Sequence, residues 1–328
     1  MAERKIAILR TARAEGVVRS GDGHSRAEAL LDDVMSGIGS VPKGTRLYVA
    51  STVGAIDLLE NGACDDTLGW LVSRAADRGD FSSVTLASAA CASGQSAVAA
   101  AVRAVRAGRC TSALVVGIDI LSEFVASGFS SLGAVSPTRI RPYSLDRDGM
   151  TLGEGAGALL LSASEIGETP VGWICGIGAA CDASHVTAPD LHGTYLATAI
   201  EEALLDAGAD ARDIVGVVGH GTGTVYNDQS EIAALNHIFG DCPPPLVSIK
   251  GETGHTLGAT GVLQVIAGLG FLRKGEWPAQ AGLTAPACGA ERMVSNVPRR
   301  IKPGPFLSLN AGFGGIDSAI VVDGRGRA

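Results

Sequence analysis

The sequence predicts an α/β protein built from two similar halves around a largely buried sheet. Short β-rich apolar runs alternate with 3.6-residue helical patterns along most of the chain. Two strand-turn-helix units recur about 160 residues apart, a repeat of structure rather than of text. Charged residues make up only 18%, against roughly 25% in an average soluble protein, and 45 of 328 residues are Gly, about double the usual share. A chain this poor in charge buries much of itself, which excludes a disordered or solvating role.

The elements follow in order. Met1-Ala2-Glu3-Arg4-Lys5 leads only into Ile6-Ala7-Ile8-Leu9 before Arg10, too short for a signal-peptide core, and no run approaches ~18 apolar residues, so a cytoplasmic protein without a membrane span is expected. Ser83 to Ala87 reads as a strand, Ser88 to Gly94 as a small-residue turn, and the helix after it buries Val98, Val102 and Val105 and stops at Gly108. Arg103, Arg106 and Arg109 lie opposite the valines, as a solvated face or a local basic patch. Gly157 to Ser162 closes the first half. A polar, Pro-containing stretch from Glu165 to Pro170 follows, and Val171 to Cys175 opens the second half. The boundary is placed near residue 166, giving halves of 1–165 and 166–328. Gly176-Ile177-Gly178 follows a strand, but Cys181 occupies the third glycine position and no phosphate-loop lysine motif exists, which argues against nucleotide binding. A helix is expected from Thr194 to Ala207, ended by Gly208, and a strand from Ile214 to Val218. Asp228 and Glu231 are placed to cap and orient a helix over Ile232 to Phe239. Leu246 to Ile249 reads as a strand and Lys250 to His255 as a turn. A helix from about Gly258 then carries Val262, Val265, Ile266 and Leu269 and ends at Gly275.

Seven Cys without C-x-x-C spacing indicate reduced thiols, and the spacing of Cys175, Cys181, His185 and His192 does not suit a metal. The net charge of −8 argues against nucleic acid as a partner. Cys91 lies in Ala89-Ala90-Cys91-Ala92-Ser93-Gly94, where small neighbours clear space around sulfur and the helix N-terminus favours a thiolate. A small buried hydrophobe fits that position as well. His220 follows a strand in Gly219-His220-Gly221-Thr222-Gly223-Thr224, whose glycines admit a ligand to the backbone, and His255 holds the matching place in the second unit. One Cys and two His at strand ends that converge suggest a thiolate flanked by imidazoles. Lys250 is either a cation fixing the turn or a surface lysine.

These segments match a known family. Ala90-Cys91-Ala92-Ser93-Gly94, then Arg141-Pro142-Tyr143, Arg147-Asp148-Gly149 and Gly153-Glu154-Gly155-Ala156-Gly157 come first. His220 to Thr224 with Asp228 and Glu231 follows, then Lys250 to His255 with Gly258-Ala259, and finally Gly312-Phe313-Gly314-Gly315. In this order and spacing the chain resembles the β-ketoacyl-acyl-carrier-protein synthases of the elongating, Cys-His-His type over about residues 80 to 323. The resemblance implies a thiolase-like fold of duplicated halves in an αβαβα layering. It also implies a dimer, with itself or with a related ketosynthase. Cys91 would take an acyl chain from a thioester. His220 and His255 would bind malonyl-acyl carrier protein and assist its decarboxylation, so that the enolate condenses with the acyl-Cys91 carbonyl. The N–H groups of Cys91 and Phe313 would form the oxyanion hole, with Phe313 also a gate. Lys250 and Glu231 match the supporting pair, Thr187, Thr222 and Thr224 match positions near the phosphopantetheine arm, and Phe129 matches an acyl-pocket phenylalanine. His185 matches a family position without an assigned role. No tightly bound cofactor is implied, since the carrier protein supplies the phosphopantetheine.

The chain departs from the family in several places. Only 90 residues precede Cys91, an unusually short N-terminal region. Ala311 stands where a phenylalanine is common, Gln264 where glutamate is, and Gly133 where an arginine is. The expected activity is decarboxylative Claisen condensation in fatty-acid or polyketide-type biosynthesis. The alternatives are thioester exchange by the same Cys91, or a pocket-shaping subunit of a heterodimer.

Overall fold

The computed structural model describes residues 5–15, 25–163 and 168–324, so the boundary expected near residue 166 lies outside the described residues. The first half contains β1 (Ile6–Glu15), α1 (Arg26–Ile38), β2 (Arg46–Ala50), α2 (Ile56–Glu60), α3 (Thr67–Ala76), β3 (Ser83–Ala87), α4 (Ser93–Arg106), β4 (Ser112–Asp119), α5 (Glu123–Ser131) and β5 (Gly155–Ser162). The second contains β6 (Gly172–Cys181), α6 (Thr194–Ala207), β7 (Val217–Val218), α7 (Val225–Phe239), β8 (Leu246–Val247), α8 (Lys250–Thr253) and α9 (Thr260–Lys274). The short pair β9 (Glu276–Trp277) and β10 (Arg299–Arg300) and the hairpin β11 (Pro305–Gly312) and β12 (Ile316–Asp323) complete it.

Strand order shows the duplication. The ladder runs β3-β2-β4-β5-β1 and then β6-β12-β11-β7-β8, the second five mirroring the first. The senses correspond too: β2 is parallel to β3 and β4, as β7 is to β8 and β11. β4-β5-β1 and β11-β12-β6 are antiparallel runs. The halves join edge to edge through a short antiparallel contact of Ile6, Ala7 and Ile8 with Ile174, Trp173 and Gly172.

Alternation of side chains sorts these strands into five layers. Val115 of β4 packs inward on α4 and α9, while its neighbours Leu114 and Val116 pack outward on α1 and α3. In the second half Val218, Phe306 and Ile320 face α4 and α9, while Leu307, Leu309 and Val321 face α6 and α7. The result is a thiolase-like α/β fold with α4 and α9 as its central layer. Their N-terminal ends meet at glycines: a Cβ on Gly94 would sit 2.7 Å from the Gly258 carbonyl oxygen, and one on Gly261 2.5 Å from the Gln95 nitrogen. That contact brings the turn before α4 beside the turn before α9.

Several local expectations change. Gly176 and Gly178 do not follow a strand; they lie within β6, beneath α6, where an added Cβ would come 2.1 Å from the Ala203 oxygen and 2.0 Å from the Ala199 oxygen. Their role is close packing of helix on sheet. Only Val217 and Val218 of the expected strand at Ile214 to Val218 pair as a strand, because a 3₁₀ turn at Ala211–Asp213 leads in and glycine follows. The turn from Lys250 contains the helical turn α8, and α9 begins at Thr260 after a 3₁₀ turn at Leu257–Ala259. Arg106 is no part of a free basic patch, since it pairs with Asp206 at 2.6 Å. No helix among the described residues is long and apolar enough to cross a membrane.

Gly178→Ala is expected to destabilise the protein by about 2 kcal/mol or more in urea unfolding, because backbone rather than a mobile side chain blocks the new methyl. Gly270→Ala, in α9 with open space around its Cα, should be neutral or stabilise by up to ~1 kcal/mol in the same measurement.

Candidate active site

The strand ends of both halves open on one cavity of about 480 Å³, lined among others by Cys91, Phe129, His220, His255 and Phe313. Cys91 follows Ala90, which is forced into the left-handed region at φ 47°. That conformation costs an alanine about 1–2 kcal/mol, and the surroundings hold it there. Ser93 Oγ donates to the Ala90 carbonyl at 2.6 Å and accepts from Ala89 N–H at 2.8 Å, and Thr52 Oγ1 donates to the same carbonyl at 3.1 Å. The sulfur is thereby buried at the head of α4. Against the thiolate expected at the helix N-terminus, burial pushes the Cys91 thiol up to about 12, with Asp119 adding to the rise and Lys250 opposing it.

His220 is held by its backbone. Glu231 accepts from His220 N–H at 2.6 Å and Gly221 N–H at 2.8 Å, and Asp228 accepts from Thr222 and Gly223 N–H at 3.0 and 3.2 Å. Both acids lie inside α7, which begins at Val225, so they anchor the preceding loop instead of capping a helix at Ile232. Tyr143 joins them, donating its N–H to Asp228 at 2.7 Å and its hydroxyl to Glu231 at 2.9 Å. Because the Tyr143 hydroxyl would stand 2.1 Å from a Cβ on residue 219 and 2.5 Å from one on residue 221, both positions require glycine. On the other side Lys250 Nζ donates to the His220 carbonyl and lies 3.3 Å from His220 Nδ1. Lys250 is fully buried, not a surface lysine.

His255 N–H donates to the Thr151 carbonyl at 2.7 Å, and its Nδ1 accepts from Leu257 N–H at 3.2 Å. With Nδ1 accepting, the ring proton sits on Nε2. The two imidazoles are perpendicular, their centroids 5.5 Å apart. Burial, then the Lys250 charge, holds both well below the usual histidine range, with His255 adding to the effect on His220. Burial also pushes Lys250 down to about 8, against the pull of Glu231, Cys91 and Asp228. Glu231 is pushed up to about 7 by burial, although the Gly221 and His220 amides counter the rise. The site thus presents a neutral thiol and two neutral imidazoles.

The Phe129 ring stands 6.4 Å from His255 and 5.9 Å from Phe313, closing one wall. Thr187, Thr222, Thr224 and His185 line the cavity as well, and the Thr222 and Thr224 hydroxyls are 2.9 Å apart. His185 Nδ1 accepts from Thr187 and Ala188 N–H, both at 3.1 Å. Among the described residues no group of His, Cys, Asp and Glu is placed to hold a metal ion.

Sequence reasoning missed Asp119. Buried at the end of β4, it accepts from Ser51 Oγ at 2.7 Å, Thr52 N–H at 2.9 Å and Gly258 N–H at 2.6 Å. It therefore locks the turn after β2 to the turn that carries His255. The only signal was an acid closing the apolar run Ala113-Leu114-Val115-Val116-Gly117-Ile118. Tyr143 stands in the Arg141-Pro142-Tyr143 segment, where only its contacts with Asp228 and Glu231 reveal a role.

The model "Beta-ketoacyl synthase, N-terminal domain" matches residues 82–165 and "Beta-ketoacyl synthase, C-terminal domain" matches residues 171–284. The chain is 34% identical over 239 residues to Nodulation protein E of Rhizobium meliloti, covering 70% of this chain and 59% of that protein. It is 32% identical over 246 residues to 3-oxoacyl-[acyl-carrier-protein] synthase 2 of Staphylococcus aureus (strain COL), covering 71% and 59%. The matches thus span less than two thirds of these relatives' length. Among solved structures, the ishigamide ketosynthase/chain length factor superposes with a TM-score of 0.84 at 23% identity, over 98% of this chain and 99% of that one.

A thiol held near 12 predicts that iodoacetamide alkylation of Cys91, followed by peptide mass spectrometry, accelerates about tenfold per pH unit from 7 to 9 without a plateau. Lys250→Met removes the cation that lowers this value and should slow alkylation at pH 7, with the difference fading above about pH 8, where Lys250 itself loses its proton. A plateau below pH 9 would show that Lys250 and the helix end outweigh burial.

Proposed function

Because the chain belongs to the β-ketoacyl synthase family, we propose that it catalyses decarboxylative Claisen condensation of an acyl thioester with malonyl-acyl carrier protein, in fatty-acid or polyketide-type biosynthesis. The observation that carries this reading is the meeting of Cys91, His220 and His255 in one cavity with both imidazoles neutral. In the first step the Cys91 sulfur attacks the incoming thioester carbonyl, an S-acyl bond forms and the carrier thiol leaves with the proton. Malonyl thioester then enters. Its carboxylate leaves as CO₂, and the electron pair of the broken C–C bond moves into the thioester as an enolate. The Nε2–H groups of His220 and His255 donate to that developing oxyanion. Neutral rings suit this work, since each keeps a proton to share and the Nδ1 contacts fix which nitrogen bears it. The enolate carbon attacks the acyl-Cys91 carbonyl, whose oxyanion is held by the Cys91 and Phe313 amides. Collapse gives the β-ketoacyl thioester and expels Cys91 as a thiolate, which takes a proton from water to restore the thiol.

In this reading residues 1–165 supply the nucleophile and 166–328 both histidines. Lys250 and Glu231 act on His220 from opposite sides, as positioning residues. Thr187, Thr222 and Thr224 face the phosphopantetheine of an acyl carrier protein, while Phe129 and Phe313 border the acyl chain. CO₂ loss supplies the electron pair, so no cofactor of the chain's own is required. The outer ladder edge at β3 leaves Thr85 and Leu86 exposed, in contrast to buried β8, and suits pairing with a second ketosynthase-like subunit, identical or related.

Intact-mass measurement after exposure to acyl-carrier and acyl-coenzyme A thioesters should show one acyl adduct, absent in Cys91→Ser and discharged as an elongated product when malonyl-carrier protein is added. His255→Ala should still acylate but lose elongation by about a hundredfold or more. Acylation of wild type without malonyl-dependent elongation would leave a thioester-exchange enzyme. An unreactive Cys91, alone and with a related subunit, would defeat the enzymatic reading.

A further inference from the structure

The hairpin of β11 and β12 ends on the catalytic cavity with a feature the proposed chemistry does not use. Ala311 is the ladder partner of Asp317, so the two side chains share a face of the hairpin, and both line the cavity. The hairpin lies against the nucleophile turn: a Cβ on Gly312 would sit 3.0 Å from both Cβ and N of Ala92. Asp317 is only 8% exposed, and among the described residues its carboxyl receives no hydrogen bond. The methyl of Ala311 leaves it uncovered.

The neighbouring acids are differently placed. Asp182, past the end of β6, accepts from Ser184 N–H at 2.9 Å and Asp190 N–H at 2.6 Å, and Asp148 is paired with Arg141 at 2.9 Å. Among the described residues no Lys or Arg side chain lines the cavity. Burial first, then the charges of Asp182, Glu231 and Asp190, pushes Asp317 up to about 7. Carboxylates that oppose a negative charge at this point favour a positive one there. A buried acid with no donor of its own, in a negative field and open to the cavity, is suited to an ammonium group brought by a ligand.

We propose that Asp317, uncovered by Ala311, is a specificity-determining residue that receives a protonated amine, so that the acyl thioester loaded on Cys91 is an amino-substituted one. The substrate class rests on the condensing-enzyme reading; the ammonium subsite does not.

The subsite is tested without catalysis. Aminoethyl methanethiosulfonate and its neutral n-propyl analogue each convert a thiol to a mixed disulfide with loss of methanesulfinate, and peptide mass spectrometry reads the rate at each Cys. The cationic-to-neutral rate ratio at Cys91 should exceed that at exposed Cys242 by about tenfold at pH 8, and should shrink toward pH 6 as Asp317 takes a proton. Asp317→Asn should remove the preference. Equal ratios at the two cysteines in wild type, or a preference that survives Asp317→Asn, would overturn the subsite; the wild-type comparison holds even if the variant does not fold.

The substrate class is tested by loading Cys91 from γ-aminobutyryl- and pentanoyl-pantetheine, which differ by ammonium for methyl. Faster loading of the amino thioester, reversed in Asp317→Asn, supports the proposal. Pentanoyl loading as fast or faster overturns the substrate class and leaves the condensing reading intact. Should neither load, nor any other acyl thioester, the condensing reading fails and takes the substrate class with it, while the disulfide rates still decide the subsite.

Discussion

Three buried charges turned onto one loop hold this molecule's site together. Asp228 and Glu231 approach residues 219–224 from α7 and accept five backbone N–H bonds between them, counting that of Tyr143, while Lys250 approaches from α8 and donates to the His220 carbonyl. An ion buried without such partners costs several kcal/mol, so each group is tolerable only while the loop keeps this shape. The loop in turn can keep it only with glycine at 219 and 221, because Tyr143 occupies the space a side chain would need. Helix, loop and lysine are thus mutually conditional. His220 inherits its backbone position from that closed set of bonds.

A second constraint brings the other half to the same place. α4 and α9 meet at their N-terminal ends through Gly94, Gly258 and Gly261, and Asp119 ties the turn after β2 to Gly258 N–H. The duplicated topology ensures that equivalent turns lie beside one another, one bearing Cys91 and the other His255. The same closeness buries the reacting groups, and burial pushes the Cys91 thiol up and holds both histidines well below their usual range.

Gln264 shows how a departure from the family pattern is accommodated. Its Nε2 donates to the Gly219 and Leu309 carbonyls at 2.6 and 3.0 Å, and its Oε1 accepts from Asn310 Nδ2 at 3.1 Å. An amide satisfies two carbonyls and a donor with no charge, whereas a carboxylate there would face two carbonyls with no proton to give. The buried link between α9, β11 and the His220 strand is therefore independent of pH in this chain.

Much of the fold was legible in the sequence because local signals and tertiary packing agree. The strand at Ser83 to Ala87 and the helix from Thr194 to Ala207 have the limits read from apolar period and glycine stops, and the two strand-turn-helix units are real counterparts. Cys91, His220 and His255 were legible as candidates, since each is a reactive side chain among small residues at a strand end. What the sequence left open or misread depends on contacts between distant segments. Asp228 and Glu231 read as helix caps, but their partners are amides reached only after the chain folds back; Gly176 and Gly178 read as glycines following a strand, but they lie within β6 and the reason for them is α6 lying on it. Sequence alone determined which groups could react and which segments would be strand or helix, because those follow from residue type and period. Tertiary structure alone decided their charge states and partners, because burial and the direction of a hydrogen bond belong to the packed interior and to no single stretch of chain.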